Sequence, residues 1–164
     1  MDKRTKIIND PADLVPLLHT FKDETYMKIF KKIYEESVSS DELVDEFGED
    51  AEEAIEILNS IGLVKSSWGM NGGSPQKLYE TSYSKFRANF ECELKDIAEI
   101  LRISINANDY IKNEGRKLLE IVEDGPENIS EVSEKLDIKE VLLRAIIRRH
   151  QGLKIKGNKL KTKD

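Results

Sequence analysis

The sequence has few of the residues that build disulfide, metal or membrane sites. Its 164 residues include one cysteine, Cys92, and two histidines, His19 and His150, which are far apart in the chain. One cysteine forms neither an internal disulfide nor a thiolate metal site by itself, so we expect no metal and no cofactor. No stretch approaches the ~20 uninterrupted apolar residues of a membrane span, and residues 1–9 lack the apolar centre of a secretory signal. These absences favour a cytoplasmic protein without membrane contact.

The motifs of common enzyme sites are also missing. Acidic residues are numerous, but they lie on the outer faces of amphipathic helices with no histidine near them. The glycine-rich stretch 69–73 is not followed by the Lys-Ser or Lys-Thr pair of a phosphate-binding loop. We therefore expect that the protein is not an enzyme.

Apolar residues recur at helical spacing along most of the first half. They predict helices over 13–20, 23–36, 40–47 and 50–61, followed by strands over 63–68 and 77–84 around a long turn, 69–76. Ser39 and Glu42 have the spacing of a capping box, and Asp50 is a candidate cap for the last helix. This order is typical of a winged helix-turn-helix unit.

The same order of elements is predicted again after residue 108. Helices are expected over 109–123, 130–136 and 137–150, with Ser130 and Asp137 as candidate caps. The tail then alternates between apolar and basic residues around Gly157-Asn158, which predicts a type II′ hairpin. The predicted fold is mainly α with small β-hairpin wings: tandem winged helix-turn-helix units joined by a long helix. The predicted domains are 1–86, a linker and dimerisation helix at 87–108, and 109–164.

The joining helix is predicted to run from about Phe86 to Ile105 and to carry two apolar faces. Ile100 and Ile103 lie on one face, which can pack on the protein's own core. The other face has the spacing at which two helices interdigitate, and it predicts a homodimer held through Phe90, Leu94, Ile97 and Leu101. The alternative is that the second unit covers this face within one chain.

The first wing carries a family resemblance. Residues 73–82, Gly-Ser-Pro-Gln-Lys-Leu-Tyr-Glu-Thr-Ser, and the helical opening from Asp10 resemble the ArsR-type winged-helix regulators over about 10–89. The resemblance implies sequence-specific binding to double-stranded DNA as a homodimer. Family members that sense metals use cysteine or histidine clusters, which this sequence lacks.

Charge is distributed unevenly between the two halves. Residues 41–56 contain nine acidic residues and no Lys or Arg, within a formal net charge of −6. Carboxylates on the outward face of the helix predicted over 50–61 would repel DNA phosphates. That helix is therefore interpreted as a solvated acidic surface or as the contact site of a protein partner.

Residues 139–163 reverse this balance, with nine basic residues against Glu140. A basic helix beside a basic ribbon is typical of a nucleic-acid site, and a lysine-rich tail kept for solubility is the alternative. In the first wing, Trp68 is expected to pack at the wing root, and Cys92 is expected to be buried in the joining helix. The predicted DNA-binding residues are Lys139, Arg144, Arg148, Arg149, Lys154, Lys156, Lys159, Lys161, Lys65 and Lys77.

The sequence thus predicts a homodimeric DNA-binding transcriptional regulator. The alternative is a tandem winged-helix adaptor that binds proteins and does not touch DNA. The wing pattern and the basic carboxyl-terminal cluster favour the regulator, whereas the acidic helix and the negative net charge favour the adaptor.

Overall fold

A computed structural model describes residues 4–163, apart from the side chain of Asn71. The chain is mainly helical with small β sheets, and it divides into two compact units. The first unit contains residues 4–7 and 20–87, and the second contains 8–19 and 88–163. Of the predicted linker and dimerisation helix, 87–108, residues 88–108 belong to the second unit.

Residues 4–88 contain ten elements. In chain order they are β1 (Arg4–Ile8), a 3-10 helix (Pro11–Asp13), α1 (Leu14–Phe21), α2 (Glu24–Glu35), β2 (Val38–Ser39), α3 (Ser40–Phe47), α4 (Glu49–Ser60), β3 (Val64–Asn71), β4 (Ser74–Thr81) and β5 (Tyr83–Ala88). Strands β2, β4 and β3 form an antiparallel sheet in that order, and β1 pairs with β5. Beside this sheet, α2, α3 and α4 bury Ile29, Ile33, Leu43 and Leu58.

Capping side chains set the starts of the first helices. The predicted capping box at α3 is confirmed: the Glu42 amide donates to Ser39 Oγ, and Glu42 Oε2 accepts from the Ser39 amide at 3.0 Å. The predicted Asp50 cap is wrong, because α4 begins at Glu49 directly after Gly48. Asp50 lies in the first turn, where a carboxylate is still favourable to the helix dipole.

The first hairpin is longer than the sequence indicated. The turn predicted over 69–76 is wrong, since Gly69 pairs with Gln76 and Met70 pairs with Pro75. The chain reverses at Gly72-Gly73, both with positive φ. Pro75 is tolerated because β2 reaches β4 only at residues 78–79, which leaves that edge of β4 unpaired near its start.

The predicted helix from Phe86 to Ile105 is wrong over residues 86–93. Phe86 lies in β5, which pairs with β1, and the helix begins at Leu94. The apolar spacing of Phe86 and Phe90 continues the helical period, but a long-range strand pairing prevails there. Cys92 lies before the helix and is exposed, so its expected burial is also wrong.

The second unit contains α5 (Leu94–Ile105), α6 (Asn108–Ile121), β6 (Glu127–Asn128), α7 (Ile129–Leu136), α8 (Glu140–Arg149), β7 (Leu153–Lys156) and β8 (Lys159–Thr162). Its sheet has the order β6-β8-β7. The sequence from α6 to β8 therefore repeats the order of elements from α2 to β4. Its core includes Ile100, Ile103, Leu118, Leu143, Ile146 and Ile147, together with Ala12 and Val15 from the amino-terminal segment.

Two predicted caps in this unit are wrong, whereas the terminal hairpin is confirmed. Asn128, not Ser130, caps α7, and its side chain accepts from the Ser130 amide at 2.9 Å. Asp137 ends α7 in the left-handed conformation, and α8 begins later, at Glu140. In the hairpin, Gly157 has positive φ and Asn158 does not, as a type II′ turn requires.

Gly115 in α6 generates a stability prediction. A Cβ at this position would lie 2.1 Å from Cδ2 of His150. We expect Gly115→Ala to lower the free energy of unfolding by about 1–3 kcal/mol through this overlap, outweighing the roughly 1 kcal/mol that alanine adds in a helix. Urea unfolding measures the change. In a His150→Ala background the substitution should become neutral or stabilising; an equal loss in both backgrounds would show that the overlap is not the cause.

Candidate nucleic-acid interface

The basic residues of the second unit form two groups with different surroundings. Lys139, Arg144, Arg148 and Arg149 lie on α8 or directly before it, whereas four lysines lie on the hairpin β7-β8. Helix α8 packs against α5, α6, α7, β7 and the 3-10 helix of the same unit. Its residues Leu143, Ala145, Ile146 and Ile147 are buried, so little of α8 is open to a ligand.

Two arginines of α8 contact acidic residues of the amino-terminal segment. Arg144 Nε lies 2.6 Å from Asp10 Oδ2, and Arg148 Nε lies 3.2 Å from Asp13 Oδ1. Asp10 also caps the 3-10 helix by accepting from the Ala12 amide at 3.0 Å. The carboxylates of this segment thus occupy the positions beside these two arginines that phosphates would need.

The other two basic residues of this group are engaged in a similar way. Lys139 Nζ lies 2.8 Å from the buried carboxylate of Asp96, and this hydrogen bond raises the pKa of Lys139. Arg149 donates from Nη2 to Asn108 Oδ1 at 2.6 Å, and burial lowers the pKa of its guanidinium group. All four side chains thus contact partners in their own unit.

The hairpin lysines differ from the basic residues of α8 in their position on two paired strands. Lys154 lies directly opposite Lys161 in the register, and Lys156 lies opposite Lys159. Lys156 and Lys159 are exposed, while Leu153 and Leu160 are buried and anchor the two strands. A cavity of about 310 Å³ is lined by Val122, Gly125, Pro126, Lys154, Lys156, Lys161 and Thr162.

In the first unit, the outer face of α4 is exposed and acidic. Glu53 of this helix forms a hydrogen bond with Tyr26, and burial together with this bond raises the pKa of Tyr26. A cavity of about 350 Å³ beside α4 is lined by Ser40, Glu52, Ile55, Glu56, Asn59, Lys77 and Tyr79. The predicted DNA contact Lys77 therefore faces carboxylates, and Lys65 is paired with Glu80 at 3.1 Å.

Trp68 and Met70 lie on the first hairpin and are 75% and 71% exposed. The expectation that Trp68 packs at the wing root is therefore wrong. The residue pairs with Lys77 across the hairpin, beyond the part of the sheet that β2 supports. An exposed indole at this place gives the protein, which has one tryptophan, a local fluorescent probe.

Helix α5 has one buried and one exposed apolar face. Ile100 and Ile103 are buried in the core of the second unit, whereas Leu94 is 84% and Leu101 42% exposed. Ile97 is partly buried between the two faces. Phe90, predicted on the same seam, precedes the helix. Within the second unit, packing covers the first face and leaves the second open.

Comparison with known protein families assigns the class. The family model of the ArsR transcriptional regulator matches residues 8–164. The chain therefore belongs to the ArsR family of transcriptional regulators, as the resemblance of residues 10–89 predicted. The match continues through the second unit, where the sequence alone offered no family motif. No curated protein matches the sequence.

Two further observations concern residues 4–163. None of the helices described there combines the length and the apolar character of a membrane span. Within the same range, no three His, Cys, Asp or Glu side chains come together in a group that could hold a metal ion.

Sequence reasoning missed the acidic partners of α8. Asp10 and Arg144 are 134 positions apart, and no local pattern connects them. The available signal was weak: two carboxylates, Asp10 and Asp13, follow a segment with basic residues, and Pro11 marks a short helical turn.

The Arg144–Asp10 contact predicts an effect on stability. The side chains are 28% and 29% exposed, so we expect Arg144→Ala to lower the free energy of unfolding by about 1 kcal/mol. Asp10→Asn retains a capping side chain and removes only the charge. In a double-mutant cycle measured by urea unfolding, the two changes should be less than additive. Additive effects would show that the contact contributes nothing in solution.

Proposed function

We propose that the protein is a DNA-binding transcriptional regulator built from two winged helix-turn-helix units. The order helix, short strand, helix, helix, hairpin occurs in each unit, and a three-stranded sheet supports each hairpin. This order and the ArsR family match support the proposal. The observation that carries the choice of DNA site is the cluster of opposed, outward lysines on β7-β8.

The DNA contact proposed here is made by the hairpin and not by α8. A recognition helix must be open to enter the major groove, but α8 is packed on several sides, and two of its arginines, Arg144 and Arg148, are ion-paired. The lysines at 154, 156, 159 and 161 have the character expected of phosphate contacts, which position a protein without reading bases. Lys65 and Lys77 of the first hairpin are secondary contacts, because carboxylates lie near both.

The hairpin proposal predicts a charge-specific loss of DNA affinity. Lys156→Gln combined with Lys159→Gln should weaken binding to random duplex DNA by about tenfold in low salt and reduce the salt slope by roughly 1.8, the value for two phosphate contacts. Fluorescence anisotropy of a labelled duplex measures both quantities.

The matched control is Lys112→Gln with Arg116→Gln on α6, which removes the same charge from another exposed surface. At about 0.15 M salt, where the Debye length is about 8 Å, this control should stay within about twofold of the unaltered protein, because charges farther than this from the DNA are largely screened. Equal losses in both variants would mean that net charge, and not the hairpin, determines the affinity.

A protein partner at the acidic helix 50–61 is the second candidate function. The acidic surface of α4 and the adjoining cavity, which Tyr79 and Ile55 also line, favour it. The salt dependence of DNA binding distinguishes the adaptor from the regulator. A regulator binds random duplex DNA in low salt and loses affinity steeply as salt rises, whereas an adaptor shows no DNA binding at any salt concentration.

A homodimer is the proposed assembly, with α5 at its interface. The exposed face of this helix contains Leu94 and Leu101, at the spacing that lets two helices interdigitate. Two-fold pairing would set two DNA-contacting units at a fixed spacing on one duplex. Phe90 and Ile97 are at the border of this interface.

The dimer proposal is tested by placing charge on the exposed face. Leu94→Glu with Leu101→Glu should convert the dimer to a monomer at micromolar concentration, because the interface would bury unpaired carboxylates. Light scattering reports the mass. Leu119→Glu, at a partly exposed leucine on α6, is the control and should leave the mass unchanged. A monomeric mass for the unaltered protein would contradict the proposal directly.

A further inference from the structure

The terminal hairpin places like charges directly opposite each other. Lys154 faces Lys161 and Lys156 faces Lys159 across the two strands. Directly opposed like charges destabilise a strand pair. Within residues 4–163, Lys156 and Lys161 form no ion pair that would offset the repulsion. An anion bound between these side chains would offset the repulsion between their ammonium groups.

The cavity beside the hairpin gives such an anion a defined place. Lys154, Lys156 and Lys161 line it with basic side chains, and Thr162 completes the lining on that side. The opposite wall is formed by Val122 and by the Gly125-Pro126 turn, where Gly125 has a φ of 134°. Each ammonium group offers three donors and no acceptor, so the site is suited to an oxygen-rich anion.

The size of the cavity indicates more than one phosphate group. Its volume of about 310 Å³ is at the lower end of the range of small-molecule sites, roughly 300–1,000 Å³. We propose that this cavity binds a small molecule carrying two or more phosphate groups. Lysine serves well as a point-charge phosphate ligand, and three lysines match the charge of an oligophosphate.

The cavity shares its lysines with the surface proposed to contact DNA. A bound oligophosphate would therefore compete with backbone phosphates, which would make the ligand an effector that releases DNA. This competition rests on the proposed DNA-binding function, whereas the binding of the small anion does not. The phosphate group is common to both sources, so the test must separate a free ligand from a duplex.

The probe is inorganic tripolyphosphate, titrated into the full chain by calorimetry at constant ionic strength with chloride as the reference anion. Binding should be saturable with one site per chain. Lys156→Gln combined with Lys161→Gln should weaken it by about tenfold, which is about 1.4 kcal/mol of binding free energy. The matched control is Lys112→Gln with Arg116→Gln on α6, which removes the same charge from an exposed surface outside the cavity wall, and it should change the affinity less than threefold.

Amide shifts in a heteronuclear NMR titration provide a second readout. They should concentrate at residues 122–126 and 153–162, and they show whether each variant is folded. If the double variant does not fold, Lys156→Gln alone, at an exposed position, should still weaken binding more than Lys112→Gln on α6. Equal losses in the cavity and control variants, or no binding beyond that of chloride, would overturn the proposal.

Two outcomes separate this inference from the proposed function. Tripolyphosphate binding without duplex binding would retain the small-anion site and contradict the DNA proposal. Duplex binding without tripolyphosphate binding would support the DNA proposal and contradict the small-anion site. Where both bind, tripolyphosphate should displace a labelled duplex from the unaltered protein, and the cavity variant should need a higher concentration for the same displacement.

Discussion

The second unit depends on the burial of α8 against its neighbours. Leu143, Ile146 and Ile147 of this helix are almost fully buried, and burial of each contributes about 1.5–3 kcal/mol. Part of the covering surface comes from Ala12 and Val15, which lie in the amino-terminal segment. Once these residues pack on α8, Asp10 and Asp13 are held within ion-pair distance of its arginines. The apolar contacts thus determine which basic side chains remain available.

The two units use one order of elements for different chemistry. In the first unit the position of a recognition helix is open, but α4 presents carboxylates there. In the second unit the corresponding helix, α8, is basic but covered. A helix that reads the major groove needs both an exposed face and hydrogen-bond donors on it. Helix α4 has the exposed face without the donors, and α8 has the donors without the exposed face. This division is the reason that we propose the terminal hairpin, with Lys156 and Lys159 exposed near its turn, as the site of phosphate contacts.

Local chemistry made much of the fold predictable. The capping box of Ser39 and Glu42 and the Gly157-Asn158 turn involve residues close in sequence, so their geometry follows from residue type. The start of α5 could not be predicted from neighbouring residues, because the pairing of β5 with β1 joins distant segments and overrides the helical period at Phe86. The engagement of Arg144 was equally hidden, since its partner is the distant Asp10. Composition located the basic cluster, but only tertiary packing divides it into engaged and open side chains.

The hairpin tolerates its opposed lysines because the fold does not rely on them. Leu153 and Leu160 point into the core from β7 and β8 and are almost fully buried. Their burial holds the strands together, whereas the repulsion between exposed ammonium groups is weakened by water and salt. Glutamine at the lysine positions would therefore retain the strand pairing and remove the repulsion. The fold does not require these lysines, yet they lie on both strands beside a cavity, and this placement supports the proposal that the hairpin binds anions.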